Sequence, residues 1–125
     1  MICLDTHVVV RLYLGQTQAL SAAAQDAIEE AAIVLVSPAV VLELEFLREI
    51  GRLKRPAAEV VRVLERSIGL QVCGISFHEV VEHALTEKWG RDPFDRLIAA
   101  NAQARKSPLV TKDESIHRHY AQALW

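Results

Sequence analysis

Apolar positions along this chain fall into short unbroken runs, separated by longer stretches in which they recur with a helical period. Residues 1–4, 33–36, 70–73 and 108–111 are the short runs, and their length and β-branched or aliphatic content predict buried strands. The stretches between them predict helices, and local punctuation marks their ends. A helix over residues 7–14 stops at Gly15, and one over 21–32 starts from Ser21 as N-cap. Ser37 and Pro38 read as N-cap and first residue of a helix running to residue 50, ahead of Gly51. Pro56 opens a helix closed by Gly69, another spans about residues 77–88, Asp92-Pro93 opens one to about residue 106, and a last one covers 114–120. Residues 124–125 are expected to be a remnant edge strand.

Each predicted strand is followed by helix before the next strand comes, so neighbouring strands need crossover connections and run parallel. The expected fold class is α/β: three layers, with a short, mostly parallel sheet of four to five strands and helices on both faces. The 125 residues carry no internal repeat, low-complexity tract or linker, which predicts one domain over residues 1–125.

Composition narrows the function mainly by exclusion. With 51% hydrophobic and 24% charged residues the chain is globular rather than disordered. No apolar run approaches the roughly 20 residues that span a membrane, and the N-terminus lacks the basic region of a signal peptide. Cys3 and Cys73 sit in apolar runs without other ligands nearby, which predicts buried reduced thiols rather than a zinc site and suits a cytoplasmic location. The net charge of −2 is not that of a general nucleic-acid binder, so any such activity must rest on a local site. One stretch departs from the average: Arg48, Arg52, Lys54, Arg55, Arg62 and Arg66 stand against Glu49, Glu59 and Glu65, a net of +3. It is either a surface that tracks phosphates or a solvated helix face.

The acids carry the candidate chemistry. Asp5 directly follows the first strand, Glu43 lies in the helix after the second, Asp92 and Asp95 begin their helix, and Asp113 follows the fourth strand. In an open parallel sheet all these positions share one rim, where ligands bind. Clustered carboxylates repel one another, and a divalent cation relieves the repulsion; all-oxygen ligands favour Mg²⁺ or Mn²⁺. Local roles compete with this reading. Asp92 before Pro93 is an N-cap, Asp95 answers the helix dipole, and Asp113 suits a turn or cap. Asp5, between two apolar runs, is expected to be partly buried. Glu43 and Glu45 point to nearly opposite helix faces, so only one of them can face the rim, and periodicity does not say which. The five histidines are scattered; His117 and His119 diverge on their helix and are expected at the surface. There is no glycine-rich phosphate loop.

Four stretches together resemble the successive motifs of PIN domains: Leu4-Asp5-Thr6-His7, Ser37-Pro38-Ala39-Val40-Val41-Leu42-Glu43, Arg91-Asp92-Pro93-Phe94-Asp95-Arg96-Leu97-Ile98-Ala99-Ala100, and Leu109-Val110-Thr111-Lys112-Asp113. The chain is most similar to the VapC-type toxins of toxin–antitoxin pairs, over its whole length. The resemblance implies a PIN-like fold and an acidic quartet of Asp5, Glu43, Asp95 and Asp113 that binds metal and catalyses. It selects Glu43 over Glu45, and implies hydroxyl support from Thr6 and Thr111 and a supporting place for Asp92. It further implies a Mg²⁺- or Mn²⁺-dependent endoribonuclease, a homodimer, and a cognate antitoxin protein covering the site. Two departures stand out: Leu42 replaces a frequent Trp, and Trp89-Gly90 replaces a frequent pair of His ahead of Arg91. Other readings compatible with these residues are a non-catalytic module of the same fold, an Asp-based phosphoryl-transfer domain, and a nuclease acting on DNA.

Overall fold

The computed structural model describes residues 1–125. Its elements in chain order are β1 (Ile2–Leu4), α1 (Thr6–Tyr13), a 3-10 turn (Thr17–Ala19), α2 (Ala22–Glu30), β2 (Val34–Val36), α3 (Pro38–Glu49), α4 (Ala57–Ile68), β3 (Leu70–Val72), α5 (Phe77–Ala84), α6 (Pro93–Ala104), β4 (Leu109–Val110), α7 (Glu114–His119) and β5 (Ala123–Leu124).

Helices begin where short polar side chains can take up otherwise unpaired backbone N–H groups. Ser21 accepts from Ala24 N, Ser37 from Ala39 N, Asp92 from Phe94 N and Asp95 N, and Asp113 from Ile116 N. Gly69 ends α4 with φ of 69°, a left-handed conformation that costs glycine nothing. One end departs from the sequence pattern: α5 was expected to reach residue 88 and stops at Ala84. There the Thr86 hydroxyl donates to the His83 carbonyl, and the Trp89 indole N–H donates to the buried Glu87 carboxylate. These local bonds hold residues 86–89 as a turn.

The sheet has strand order β3-β2-β1-β4-β5, and all neighbours are parallel. It is therefore wholly parallel rather than mostly so. β1 and β2 are buried along their full length, as central strands covered on both faces must be. Leu4, Val36, Leu109 and Val110 are fully enclosed, and Val8, Val40, Leu44, Val60, Ile98 and Ile116 from the helices complete the core. No helix is long and apolar enough to cross a membrane.

The order of strands decides where a site can form. From β1 the chain steps outward to β2 and β3, then returns past β1 to β4 and steps outward again to β5. Right-handed crossovers place α1–α4 on one face and α5–α7 on the other. The connections leaving β1 and β4 thus part to opposite faces, which opens a crevice at the carboxyl ends of these two neighbouring strands.

Candidate active site

Asp5 and Thr111 are the residues that follow β1 and β4, and they meet at this crevice. Asp5 is only 4% exposed. One carboxylate oxygen accepts from Thr6 N at 2.7 Å and the other from the Thr111 hydroxyl at 2.6 Å. The Thr111 oxygen in turn accepts from Asp113 N at 3.0 Å, so one hydroxyl joins two acids. His7 stands with Nδ1 3.4 Å from the same Asp5 oxygen, while its Nε2 accepts from Lys112 N at 3.0 Å. That second bond assigns the ring proton to Nδ1, facing Asp5. Burial alone would raise the Asp5 pKa. His7, Thr111 and the Thr6 N–H outweigh it and hold the group below its ordinary range. With both oxygens occupied and almost no exposure, Asp5 is badly placed to attack a phosphorus atom itself, which weighs against the phosphoryl-acceptor alternative.

A cleft of about 370 Å³ opens above Asp5, and Glu43, Asp95, Asp113, His7, Arg11, Lys112 and Trp125 also line it. The four acids that the sequence places on one rim thus come from four separate parts of the chain to one cleft. Their electrostatics carry the mark of crowding. Asp95, half-buried at the third position of α6, has its pKa raised from 3.8 to about 7, by burial first and then by Asp92, Asp5, Asp113 and Glu43. Glu43 is also raised, by burial first and then by Asp5 and Asp92, with the Thr6 hydroxyl and His7 pulling partly back. Thr6 therefore touches both acids: its backbone N–H donates to Asp5, and its buried hydroxyl lies toward Glu43 without completing a full hydrogen bond.

The structure resolves the choice between the two glutamates of α3. Glu45 points away from the cleft: it pairs with Arg48 at 2.8 Å and accepts from Ala57 N at 2.9 Å, at the start of α4. Asp92 caps α6 from an exposed position and acts on Glu43 and Asp95 through its charge. Capping and clustering are therefore not rival roles. Asp5, Asp92 and Asp113 cap helices whose N-termini converge on the rim, and the positive ends of those helices favour negative charge there.

His7, Arg11, Lys112 and Trp125 also line the cleft and are not among the candidates that the sequence offers. His7 looks like one scattered histidine among five, and only its place directly behind Asp5-Thr6 hinted at the site. Trp125 gave no signal, because the contact arises from strand order. His117 and His119 do lie exposed and turn to different partners: His117 bonds the Thr111 carbonyl, and His119 bonds the Ser115 carbonyl and stacks on Trp89. Cys3 and Cys73 are buried free thiols, and burial pushes Cys3 up to about 11. The basic stretch divides. Arg48 is committed to Glu45, whereas Arg52 lines a groove with Thr6, Arg11 and Glu43 that continues the acidic cleft.

The donor set fits a hard divalent cation, since every acid in the cleft offers only oxygen and Asp95 holds its proton close to neutrality under the pressure of its neighbours. As they stand, no three His, Cys, Asp or Glu side chains are grouped closely enough to hold a metal ion.

The same fold is found elsewhere. Three solved structures match this chain over its full length. They are VapBC2 from Rickettsia felis bound to a DNA fragment from their promoter (TM-score 0.66, 17% identity, 98% of that chain), a toxin–antitoxin complex from Klebsiella pneumoniae (0.69, 16%, 97%), and VapBC-1 from nontypeable Haemophilus influenzae (0.67, 14%, 96%). At these identities the likeness is one of fold. No curated protein matches the chain in sequence. The sequence model of the PIN domain matches residues 2–122, nearly the whole chain, and PIN domains are generally nucleases. On that match, and on a sheet and cleft built as described, the chain belongs to the PIN domain family.

Proposed function

We propose that this protein is a metal-dependent endoribonuclease and the toxin of a VapBC-like toxin–antitoxin pair. The observation that carries the reading is the convergence of Asp5, Glu43, Asp95 and Asp113 on one cleft at the β1/β4 switch point. These four residues would hold Mg²⁺ or Mn²⁺, which when bound supplies Lewis acidity toward a phosphodiester and acidifies water. Asp5 is the fixed anchor, held ionised by Thr6, Thr111 and His7. Glu43 and Asp95 are the adjustable members: burial and their acidic neighbours raise both above the ordinary carboxylate range, and arriving positive charge would bring them down again. Arg11 and Lys112, on the same walls, face phosphates flanking the scissile bond. No Ser, Thr, Cys or Tyr lines the cleft, which supports water as the nucleophile of the proposed hydrolysis.

The testing experiment is cleavage of an RNA pool by antitoxin-free protein, with Mg²⁺ or Mn²⁺ and with chelator, beside Asp95→Asn and a matched DNA pool. Cleavage that needs the metal and is lost in the variant supports the reading. Failure to cleave, together with no cation binding by calorimetry, moves the chain to the interaction-module alternative.

Two surfaces bear on partners. Arg52 borders the acidic cleft and Lys54 follows it on the exposed surface. Changing both to Glu should weaken RNA binding and flatten its salt dependence by about one to two phosphate contacts. Unchanged binding at low salt would remove them from the substrate path. On the other side of α3, Leu42 and Phe77 are exposed over a groove they share with Phe94 and Leu97, and Phe46 lies against Phe94. Such an apolar patch suits burial against a second copy of this chain, the homodimer implied by the sequence resemblance. Phe77→Glu should then sediment as a monomer where the parent is a dimer; equal masses would discard the patch as the dimer face. The cognate antitoxin would cover the acidic cleft and keep RNA out.

A further inference from the structure

The acidic cleft has an aromatic wall that metal-assisted hydrolysis does not use. Trp125 follows β5, lines the cleft with Asp5, Asp95 and Lys112, and is only partly buried. Its position is fixed from two sides. Its ring centroid lies 5.8 Å from that of His7, the planes tilted by 53°. His7 cannot turn freely, because its two nitrogens are engaged by Lys112 N and Asp5. From the backbone side β5 pairs with β4, and Thr111 N donates to the Leu124 carbonyl at 3.0 Å. Thr111 is also the residue whose hydroxyl holds Asp5. Indole and carboxylate are therefore registered to each other through Thr111 and through His7.

An indole face is of no use to a hard cation, but it is a surface on which any nucleobase can stack. In the same cleft Arg11 and Lys112 supply positive charge for the strand that carries the base. We propose that Trp125 is a base-binding platform: the nucleobase beside the scissile phosphate leaves its stack and lies on the indole, which places the phosphate over the carboxylates. The site thereby selects RNA whose bases are unpaired at the cleavage point, since a paired base cannot reach the platform without opening the duplex. This inference rests on the nuclease reading for its place in the reaction, but base binding can be measured apart from cleavage.

The sequence has two tryptophans, so Trp89→Phe leaves Trp125 as the sole reporter. The probes are fluorescein-labelled single-stranded oligouridine and oligoadenosine RNAs about ten nucleotides long and their duplex, titrated at low salt with Mg²⁺ against protein carrying Asp95→Asn, with affinity read from the anisotropy of the label in every variant. Binding of the single strands should quench Trp125 emission. Trp125→Leu, which keeps apolar bulk without a ring, should weaken single-strand binding by about 5- to 150-fold, Trp125→Phe should restore most of it, and duplex binding should be indifferent to both. Equal single-strand affinity in Trp125→Leu, or no single-strand binding by the parent, overturns the platform. The two readings separate cleanly. Metal-dependent cleavage with an unchanged KM in Trp125→Leu leaves the nuclease and removes the platform. Ring-dependent binding without cleavage when Asp95 is present leaves the platform and removes the nuclease.

Discussion

Asp95→Asn is expected to melt higher than the parent in chelator at about pH 8, while losing RNA cleavage by three orders of magnitude or more. The sign follows from the direction of the shift. The Asp95 pKa is raised in the folded state, from 3.8 to about 7. Between those values the folded chain holds a proton that the unfolded chain has released, so stability without metal falls as pH rises through that window. Above about pH 7 the full penalty of an ionised Asp95 among its neighbours is present. Asn keeps the shape and removes the charge. Because the group is half-exposed, solvent screening reduces the gain to about 1–2 kcal/mol, roughly 5 °C in the melting midpoint. Two scans check it. In chelator the difference between variant and parent should shrink as pH is lowered toward about 4. With saturating Mg²⁺ at neutral pH the parent should gain about 3 kcal/mol and the variant much less. A variant less stable than the parent in chelator at high pH would show that Asp95 is not held under electrostatic pressure.

Asp5→Ala should abolish cleavage as well but move stability the other way, by about 3 kcal/mol or more. Asp5 is buried, and its pKa is lowered by His7, Thr111 and Thr6 against the cost of burial. Removing it leaves the Thr6 N–H and the Thr111 hydroxyl without acceptors in the interior, and α1 loses its cap. Asp5→Asn should fall between the two. Its amide oxygen can still accept from Thr6 N, but its NH₂ then meets a Thr111 hydroxyl that already accepts from Asp113 N. Urea titrations should show the midpoint falling from parent to Asn to Ala with an unchanged slope. The linkage runs opposite to that of Asp95: the stabilisation from ionised Asp5 is present above the unfolded pKa and is lost as pH falls through the lower folded one. If Asp5→Ala left the midpoint unmoved, the carboxylate would not be part of the fold's interior. Two acids in one cleft are thus expected to be equally necessary for activity and opposite in their effect on stability.

The opposition also indicates how much of the site was legible beforehand. Short-range features were. Ser37-Pro38, Asp92-Pro93 and Gly69 mark helix ends because capping needs only a few neighbouring residues, and the alternation of short apolar runs with helical stretches specifies parallel strands. The placement of Asp5, Asp95 and Asp113 at one rim follows from that alternation alone. The over-extension of α5 has an equally local cause, since the pattern of residues 85–88 is compatible with helix and only the bonds of Thr86 and Glu87 turn the chain away.

The sequence by itself determined the elements, their parallel sense and the acids that end up at the carboxyl ends of the strands, because each of these depends on neighbours a few positions apart. Tertiary structure alone decided the rest. The order β3-β2-β1-β4-β5 puts β1 beside β4, which opens the crevice, joins Thr111 to Asp5 and brings Trp125 against His7. Packing of α3 on α4 turns Glu45 to the Ala57 N–H and Glu43 to the cleft, a choice that helical periodicity leaves open. Contacts between residues a hundred positions apart are set by which strands pair. That pairing is a property of the whole buried core, and no local run of residues encodes it.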